Sequence, residues 1–312
     1  MQGVSTALYP WLRLYPWKGK FFDRGAARLH YLDVGPREGE PVLMVHGNPT
    51  WSFYFREVVR ALESTHRCIV PDHVGCGLSD KPRDDRYDYT LRSRVDDLTA
   101  LLEAVSLDAG STTRKIHLVV HDWGGMIGFA WAARHPDRIA SLTVLNTAAF
   151  PLPSTKTFPL ALKLTRTPIG SLLVRGGNAF AWTASRVCVT KAPLSREVRA
   201  AYLAPYGSWA DRIATLRFVQ DIPLSPEDRA WSIVAETASL LEGLRDKPML
   251  IGWGLKDFVF DAHFLAEWER RFPRAEVRRF ADAGHYVLED EKSVLVPAIA
   301  AFVRAHPSAP PS

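Results

Sequence analysis

Residues 118–125 read LVVHDWGG, and this stretch decides the fold. A short apolar run ends at His121 and Asp122, and Trp123 and two glycines follow. The order is typical of a buried strand that turns sharply into a helix, because such a turn is strained and needs small neighbours. The turn often carries a serine within G-x-S-x-G, a motif that occurs nowhere in this chain. The pattern places Asp122 in the position of that serine, although an aspartate before a helix can also be a simple N-cap.

The segments around this stretch alternate between strand and helix patterns. Helical patterns occur near residues 52–64, 90–107, 261–271 and 290–305, and a Gly/Ala-rich one ends at about 134. Strand patterns lie between them in AARLHYLDVG, PVLMVHG, HRCIVPD, KIHLVVHD, IASLTVLNT, KPMLIGWG and AEVRRFADAG. The alternation predicts an α/β fold, with a mostly parallel sheet covered by helices on both faces.

The alternation stops between about residues 151 and 235. This stretch holds eight prolines with short helical pieces between them. It is typical of an insertion that covers one end of a sheet. We therefore expect residues 1–150 and 236–312 to form one α/β core and residues 151–235 to form a helical cap.

Composition narrows the possible partners. The 312 residues are 47% hydrophobic and 23% charged, as in a globular protein with a sizeable core. The net charge of +5 comes without a dense basic block, so no nucleic-acid partner is predicted. No apolar run approaches the roughly 20 residues that span a bilayer, so no transmembrane segment is predicted. Cys68, Cys76 and Cys188 form no C-x-x-C pair, which favours reduced thiols, no disulfide and a cytoplasmic location.

Two residues late in the chain complete a catalytic pattern with Asp122. IGWGLKDFVF places Asp257 just after a buried strand, and ADAGHYVLED places His285 in the loop after the next strand. Nucleophile, acid and histidine follow one another in this order in a known catalytic triad. Asp261 is a rival acid, but its position at the start of a helix favours an N-cap. Glu289 follows His285 too closely to orient it.

The loop VHGNPTW supplies a fourth element of the predicted site. It follows a buried strand, so it should reach the same end of the sheet as Asp122. Asn48 carries an amide donor and Trp123 an indole N–H donor. Together they can hold an anion that develops near Asp122. The alternative is that Asn48 caps the next helix and Trp123 only packs in the core.

These motifs resemble the haloalkane dehalogenase branch of the α/β-hydrolases, from about residue 20 to 305. The similarity lies in HGNPTWSFYFR, PDHVGCGLSDKP, VVHDWGG, GLKDF and AGHY. The acid after the late strand, combined with Asn48, is most similar to the third subfamily. That subfamily also resembles the β-lactone decarboxylases of bacterial long-chain olefin synthesis. In another branch the acid is a glutamate after the strand before the cap, where this chain has Asn146.

The resemblance implies an α/β-hydrolase fold and a role for each residue of the pattern. Asp122 is then the nucleophile, His285 the base and Asp257 its acid partner. Asn48 and Trp123 bind the leaving group. An ionised carboxylate attacks without first losing a proton, as a serine must, and the ester formed on Asp122 can be broken by water that His285 activates.

Three reactions remain open from the sequence. The resemblance favours decarboxylation of a cis-3-alkyl-4-alkyloxetan-2-one to a long-chain cis-alkene and CO₂. The alternative is dehalogenation of a haloalkane through an Asp-ester. Epoxide hydrolysis is a lesser alternative that needs cap tyrosines, for which Tyr202 and Tyr206 are the candidates. A non-catalytic binding protein on this fold is the remaining possibility.

The same resemblance sets the expected partners. We expect a hydrophobic small-molecule substrate, no cofactor and no metal site. The aromatic N-terminus, ALYPWLRLYPW, either packs on the body or forms an exposed apolar patch. In the second case it would support a homo-oligomer or a complex with other olefin-pathway enzymes.

Overall fold

A computed structural model of the chain describes residues 10–107 and 115–308. Within them, one sheet of eight strands carries the fold. The strands are β1 (Lys20–Asp23), β2 (Arg28–Val34), β3 (Pro41–Val45), β4 (Arg67–Pro71), β5 (Ile116–Asp122), β6 (Ile139–Thr147), β7 (Met249–Gly254) and β8 (Glu276–Phe280).

The strand order is β1-β2-β4-β3-β5-β6-β7-β8. Strands β1 and β2 run antiparallel at one edge, and β4, β3, β5, β6, β7 and β8 pair in parallel. The predicted mostly parallel sheet is confirmed. Strand β1 was not predicted from the sequence, because four residues at a solvent-exposed edge carry too little periodicity to stand out.

Helices follow most of the strands. Their bounds are α1 (Arg56–Leu62), α2 (Leu91–Leu107), α3 (Trp123–Ala132), α4 (Leu160–Thr165), α5 (Pro168–Gly176), α6 (Ala179–Val187), α7 (Arg196–Leu203), α8 (Ile213–Gln220), α9 (Trp231–Leu240), α10 (Ala262–Arg271), α11 (Val287–Asp290) and α12 (Lys292–Ala305).

Burial explains the apolar character of the central strands. In β3, Leu43 and Val45 face one apolar cluster, while Val42 and Met44 face another on the opposite side of the sheet. Successive side chains of a strand point to opposite faces, so a strand that is covered on both sides is apolar throughout. Helices α2 and α3 cover one face, and α1 and α12 pack together on the other.

Between β6 and β7 the described residues form helices and no strand. The expected cap boundary at residue 235 falls inside α9, which packs against α3 of the core. The division into core and cap stays a prediction. In this predicted division, helices α4 to α8 form the cap and lie over the carboxyl ends of the strands, where ligands of α/β sheets bind.

The aromatic N-terminus packs on the body from residue 10 onward, whereas residues 7–9 of the predicted patch lie outside the described residues. Trp11 and Tyr15 are buried, and Tyr15 Oη lies 2.6 Å from Ser52 Oγ. This burial favours the packed alternative over an exposed apolar patch. In the part of the chain that the structure describes, no helix combines the length and apolarity needed to cross a membrane.

Candidate active site

Asp122 lies at the last position of β5, directly before α3. Its φ of 52° and ψ of −129° are the strained conformation of a sharp strand-to-helix turn. A Cβ added to Gly47 would lie 1.9 Å from Asp122 Oδ1, and one added to Gly124 would lie 1.9 Å from the Val45 carbonyl oxygen. Glycine at both positions is therefore required for the turn to pack against the loop after β3.

The loop after β3 binds the Asp122 carboxylate through its backbone. The N–H of Asn48 donates to Asp122 Oδ1 at 2.6 Å. The Asn48 side chain turns toward the helical segment, where its Nδ2 donates to the Thr215 carbonyl at 3.0 Å. The Asn48 amide therefore has one N–H committed to α8, and its second N–H is left for a ligand.

Trp123 lines the same cavity as Asp122 and Asn48. Its ring packs against Phe218 with centroids 5.3 Å apart. Among the described residues, none accepts a hydrogen bond from the Trp123 indole N–H. The donor is thus available to an anion in the cavity, while the rest of the ring belongs to the core.

His285 lies between Asp122 and Asp257, the two carboxylates that the sequence pattern predicts for the site. Its Nδ1 lies 2.7 Å from Asp257 Oδ2, and its Nε2 lies 3.6 Å from Asp122 Oδ2. All three side chains are buried. The hydrogen bond to Asp257 orients the ring so that Nε2 faces Asp122, which is the geometry a base needs to activate water at an Asp122 ester.

The two rival acids have other partners. Asp261 is the N-cap of α10, where it accepts from the His263 N–H and pairs with Lys156. Glu289 accepts hydrogen bonds from Arg56, at 2.6 and 2.9 Å, and from Tyr202. Neither carboxylate is bonded to His285, as the sequence analysis expected.

Asn146 is a site residue that the sequence analysis noted only as lacking a carboxylate. It is fully buried in a left-handed conformation, with φ of 33°. Its Nδ2 donates to Asp257 Oδ2 at 3.0 Å, and its Oδ1 accepts from the Gly254 N–H at 2.8 Å. Asn146 thus fixes Asp257, the predicted acid, from the end of the neighbouring strand. A polar residue at the carboxyl end of a buried strand was the available signal.

Electrostatics set the protonation of the central pair. Burial raises the pKa of Asp122 above its ordinary value, although His285 and the N–H groups of Asn48 and Trp123 counteract part of this rise. Burial lowers the pKa of His285, but the Asp257 charge, its hydrogen bond and the Asp122 charge outweigh burial and raise this pKa overall. An ionised Asp122 and a protonated His285 therefore stabilise each other.

Another buried carboxylate, Asp72, supports the loop after β3. It accepts from the N–H groups of Ser52 and Leu78, at 2.7 and 2.9 Å, and lies 2.8 Å from His30 Nδ1. Burial raises its pKa, yet the hydrogen bond and charge of His30 dominate and hold the pKa at about 2. Asp72 stays ionised and joins the segment PDHVGCGL to HGNPTWS, which gives both motifs a structural role in addition to the position of Asn48 at the cavity.

The cavity above Asp122 is about 280 Å³ and mostly apolar. Its apolar walls come largely from the helical segment between β6 and β7. These walls include Leu162, Leu173, Val174, Phe180, Val187, Val219 and Ile222, and the polar groups include Asn48, Asp122, Lys156, Thr165, Thr183 and His285. A cavity of this kind fits a hydrophobic molecule whose one polar centre lies against Asp122.

The described fold and the site together match a known class of proteins. The family model of the alpha/beta hydrolase fold matches residues 40–292. The chain belongs to that family.

Individual relatives divide between two activities. The chain is 55% identical to a cis-3-alkyl-4-alkyloxetan-2-one decarboxylase of Shewanella oneidensis, over 93% of this chain and 89% of the relative. It is 50% identical to a decarboxylase of the same name from Xanthomonas campestris, over 91% and 95%. Among solved structures, haloalkane dehalogenase DatA from Agrobacterium tumefaciens superposes with a TM-score of 0.79 at 25% identity, over 92% of this chain and 96% of DatA.

Proposed function

We propose that this protein decarboxylates cis-3-alkyl-4-alkyloxetan-2-ones, giving a cis-alkene and CO₂. The observation that carries the proposal is the 55% identity to a decarboxylase with this substrate in its name, over 93% of the chain. The dehalogenase DatA is more distant, at 25% identity. The cavity is mostly apolar, with the charged groups Asp122 and His285 in its lining. This supports the same assignment, because the substrate has two alkyl chains and one polar ring.

Asp122 is the proposed nucleophile in this reaction. Its ionised carboxylate attacks ring carbon C4, the C4–O bond breaks, and the ring oxygen leaves as part of a free carboxylate on C3. The C3–C2 bond then breaks, its electron pair forms the C3=C4 double bond, and CO₂ departs. The Asp122 carboxylate leaves C4 in the same step. No water is consumed, and the enzyme returns to its starting state.

The stereochemistry supports this route. Displacement at C4 inverts that carbon and places the new bond to Asp122 anti to the C3–C2 bond. Anti elimination then gives net retention, so a cis lactone yields a cis alkene. The Trp123 indole and the Asn48 amide are the proposed donors to the departing ring carboxylate. His285, held by Asp257, is the proposed positive partner that keeps Asp122 ionised.

The helical segment at residues 151–235 is the proposed cap, and α4 to α8 are its helices. It supplies most of the apolar wall of the cavity. The two alkyl arms of the substrate would lie along this wall. Burial of hydrocarbon is worth about 0.8 kcal/mol per CH₂, so the arms contribute much of the binding energy.

Haloalkane dehalogenation remains the second candidate. The available indole N–H of Trp123, in the cavity that Asp122 and His285 also line, fits a departing halide as well as a carboxylate. Epoxide hydrolysis lacks such support. Neither Tyr202 nor Tyr206 is among the described residues that line the cavity, and their hydroxyls bond Glu289 and the Thr50 carbonyl.

One assay with two substrates tests the assignment. Purified protein is incubated with a cis-dialkyl β-lactone and, separately, with 1,2-dibromoethane. We expect cis-alkene and CO₂ from the lactone and little bromide from the haloalkane. Release of bromide without alkene would establish the second candidate instead. Conversion of the lactone to a β-hydroxy acid would show hydrolysis and overturn the decarboxylase proposal.

A further inference from the structure

Three strands place titratable side chains at the end of the sheet opposite Asp122. Glu40 directly precedes β3, His66 directly precedes β4, and His117 is the second residue of β5. These strands are neighbours, in the order β4-β3-β5. His117 and Asp122 are five positions apart on β5, a rise of about 17 Å. The cluster is therefore separate from the candidate active site.

The ligand atoms of this cluster converge. One oxygen of Glu40 and one ring nitrogen from each of His66 and His117 all lie within 4.8 Å of one another. His117 Nε2 is 3.4 Å from Glu40 Oε2. That distance is long for a charge-assisted hydrogen bond, which is about 2.7–2.9 Å. It matches the separation of two ligands of a tetrahedral zinc ion, roughly 3.3 Å for bonds of about 2.0–2.1 Å.

The outer atoms of all three side chains are already held. His117 Nδ1 lies 2.8 Å from Ser141 Oγ, and His66 Nδ1 lies 2.8 Å from Thr65 Oγ1. Metal-binding histidines typically have the second nitrogen fixed in this way. Each ring keeps its Nε2 for a ligand position.

Glu40 is fixed in the same manner. Its Oε1 accepts from the backbone N–H of Ser308, at 2.6 Å, and from the Ser308 hydroxyl. Its Oε2 is left facing His117. The Glu40 side chain is 27% exposed, whereas His66 and His117 are buried. An ion can therefore reach the cluster from the Glu40 side, and the open side leaves a fourth position for water.

We propose that Glu40, His66 and His117 form a binding site for a divalent transition-metal ion, with Zn²⁺ as the expected occupant. Two imidazoles and one carboxylate suit Zn²⁺ better than Mg²⁺ or Ca²⁺, which prefer oxygen ligands. The bound ion would join the starts of three strands to the segment after α12, because Ser308 is held by the Glu40 carboxylate. Its role is structural, at the end of the sheet away from the reaction.

Zinc binding by the full-length chain tests this site. The purified protein is treated with a chelator, dialysed and titrated with ZnCl₂ by calorimetry, and its melting temperature is measured with and without Zn²⁺. We expect one Zn²⁺ per chain and a rise in melting temperature, because a ligand of the native state stabilises that state. His66→Gln and Glu40→Gln should weaken binding by at least about tenfold and abolish the rise.

Two further variants test whether the loss of Zn²⁺ binding is specific to the proposed site. His263→Gln removes an exposed histidine that is 3.1 Å from Asp261 and should leave Zn²⁺ binding unchanged. Thr65→Val keeps all three ligands and replaces only the hydroxyl behind His66 by a methyl group, so it should weaken binding by about 10–100-fold. Absence of saturable binding by the unaltered chain would overturn the proposal. So would equal affinity in the unaltered chain, His66→Gln and Glu40→Gln, or loss of binding in His263→Gln alone.

Discussion

The Nδ2 of Asn146 donates a hydrogen bond to Asp257 Oδ2 at 3.0 Å, and the same oxygen lies 2.7 Å from His285 Nδ1. Asp257 Oδ1 meanwhile accepts from the Val259 N–H at 2.7 Å. Both carboxylate oxygens of Asp257 therefore accept hydrogen bonds from groups other than His285. The Asn146 amide is therefore part of the support for an acid in the loop that follows the neighbouring strand β7.

Asn146→Asp tests that support. The substitution keeps the shape of the side chain but replaces a donor by a carboxylate against Asp257. We expect turnover to fall by roughly 10²-fold, the scale for a misplaced catalytic group, because repulsion displaces Asp257 and His285. The pH profile should shift together with the rate, which simple loss of stability would not cause. Asn178→Asp is the matched control, since Asn178 also has a positive φ, of 51°, but lies in the helical segment.

Trp123→Phe separates binding of the leaving group from packing. The change keeps an aromatic ring against Phe218 and removes the indole N–H. If that donor stabilises the departing carboxylate or halide, kcat should fall by roughly 10²–10³-fold. Trp131→Phe, a buried tryptophan on the same helix but outside the cavity lining, should keep near-normal turnover. Equal rates for both variants would mean that Trp123 only packs.

His285→Ala separates displacement from ester hydrolysis. Attack by an ionised Asp122 needs no base, whereas water attacking the resulting ester does. With a haloalkane, the variant should release about one halide per site, stop, and gain the mass of the alkyl group on Asp122. Asp122→Ala should show neither burst nor label. Asp257→Asn should turn over slowly, because the imidazole is misoriented.

The outcome with the lactone differs in one respect. If the unaltered protein consumes only β-lactones, the trapping is repeated with the lactone. Decarboxylation consumes no water, so His285→Ala should retain some alkene formation there, at a reduced rate. A label on Ser79 or on a cysteine, with either substrate, would contradict the assignment of Asp122.

The pH dependence follows from the raised pKa of His285. As a base, His285 acts only when neutral, so a hydrolytic step is slow below this raised pKa and quickens as the pH rises through it. Because the pKa of His285 is higher in the folded state than in the unfolded state, protonation of His285 stabilises the fold. This contribution is fully present below the ordinary histidine pKa and is lost as the pH rises through the raised pKa. Asp257→Asn removes the main cause of the rise. We expect the fall in melting temperature that accompanies deprotonation of His285 to lie at lower pH in Asp257→Asn than in the unaltered protein. If the protein releases bromide, the acid limb of the kcat profile should move in the same direction.

Val174→Trp tests the alkyl wall of the cavity. Val174 is buried on α5 and lines the cavity, so a larger ring there should shorten the space for one alkyl arm. We expect kcat/KM to fall by at least about tenfold for long-chain dialkyl lactones and much less for short ones. Leu172→Trp, on the exposed side of the same helix, should not discriminate by chain length. Equal losses for all chain lengths would indicate general damage.

The sequence alone determined the parts of this protein that local patterns encode. Apolar runs indicated the buried strands, and the order of Asp122, Asp257 and His285 predicted the triad. The small residues next to Asp122 indicated the turn, because a strained backbone and close packing of the following helix restrict the size of the neighbouring side chains. The edge strand β1 escaped prediction because its pairing with β2 depends on the assembled sheet.

Only the tertiary structure decided which distant residues meet. Asn146 and Asp257 are 111 positions apart, and they touch because β6 and β7 are adjacent and end at the same edge. The convergence of Glu40, His66 and His117 likewise depends on the order of three strands. Periodicity in a sequence reports which face of an element is buried. It does not report the neighbour of that element, because strand order and register are fixed by packing of the whole sheet.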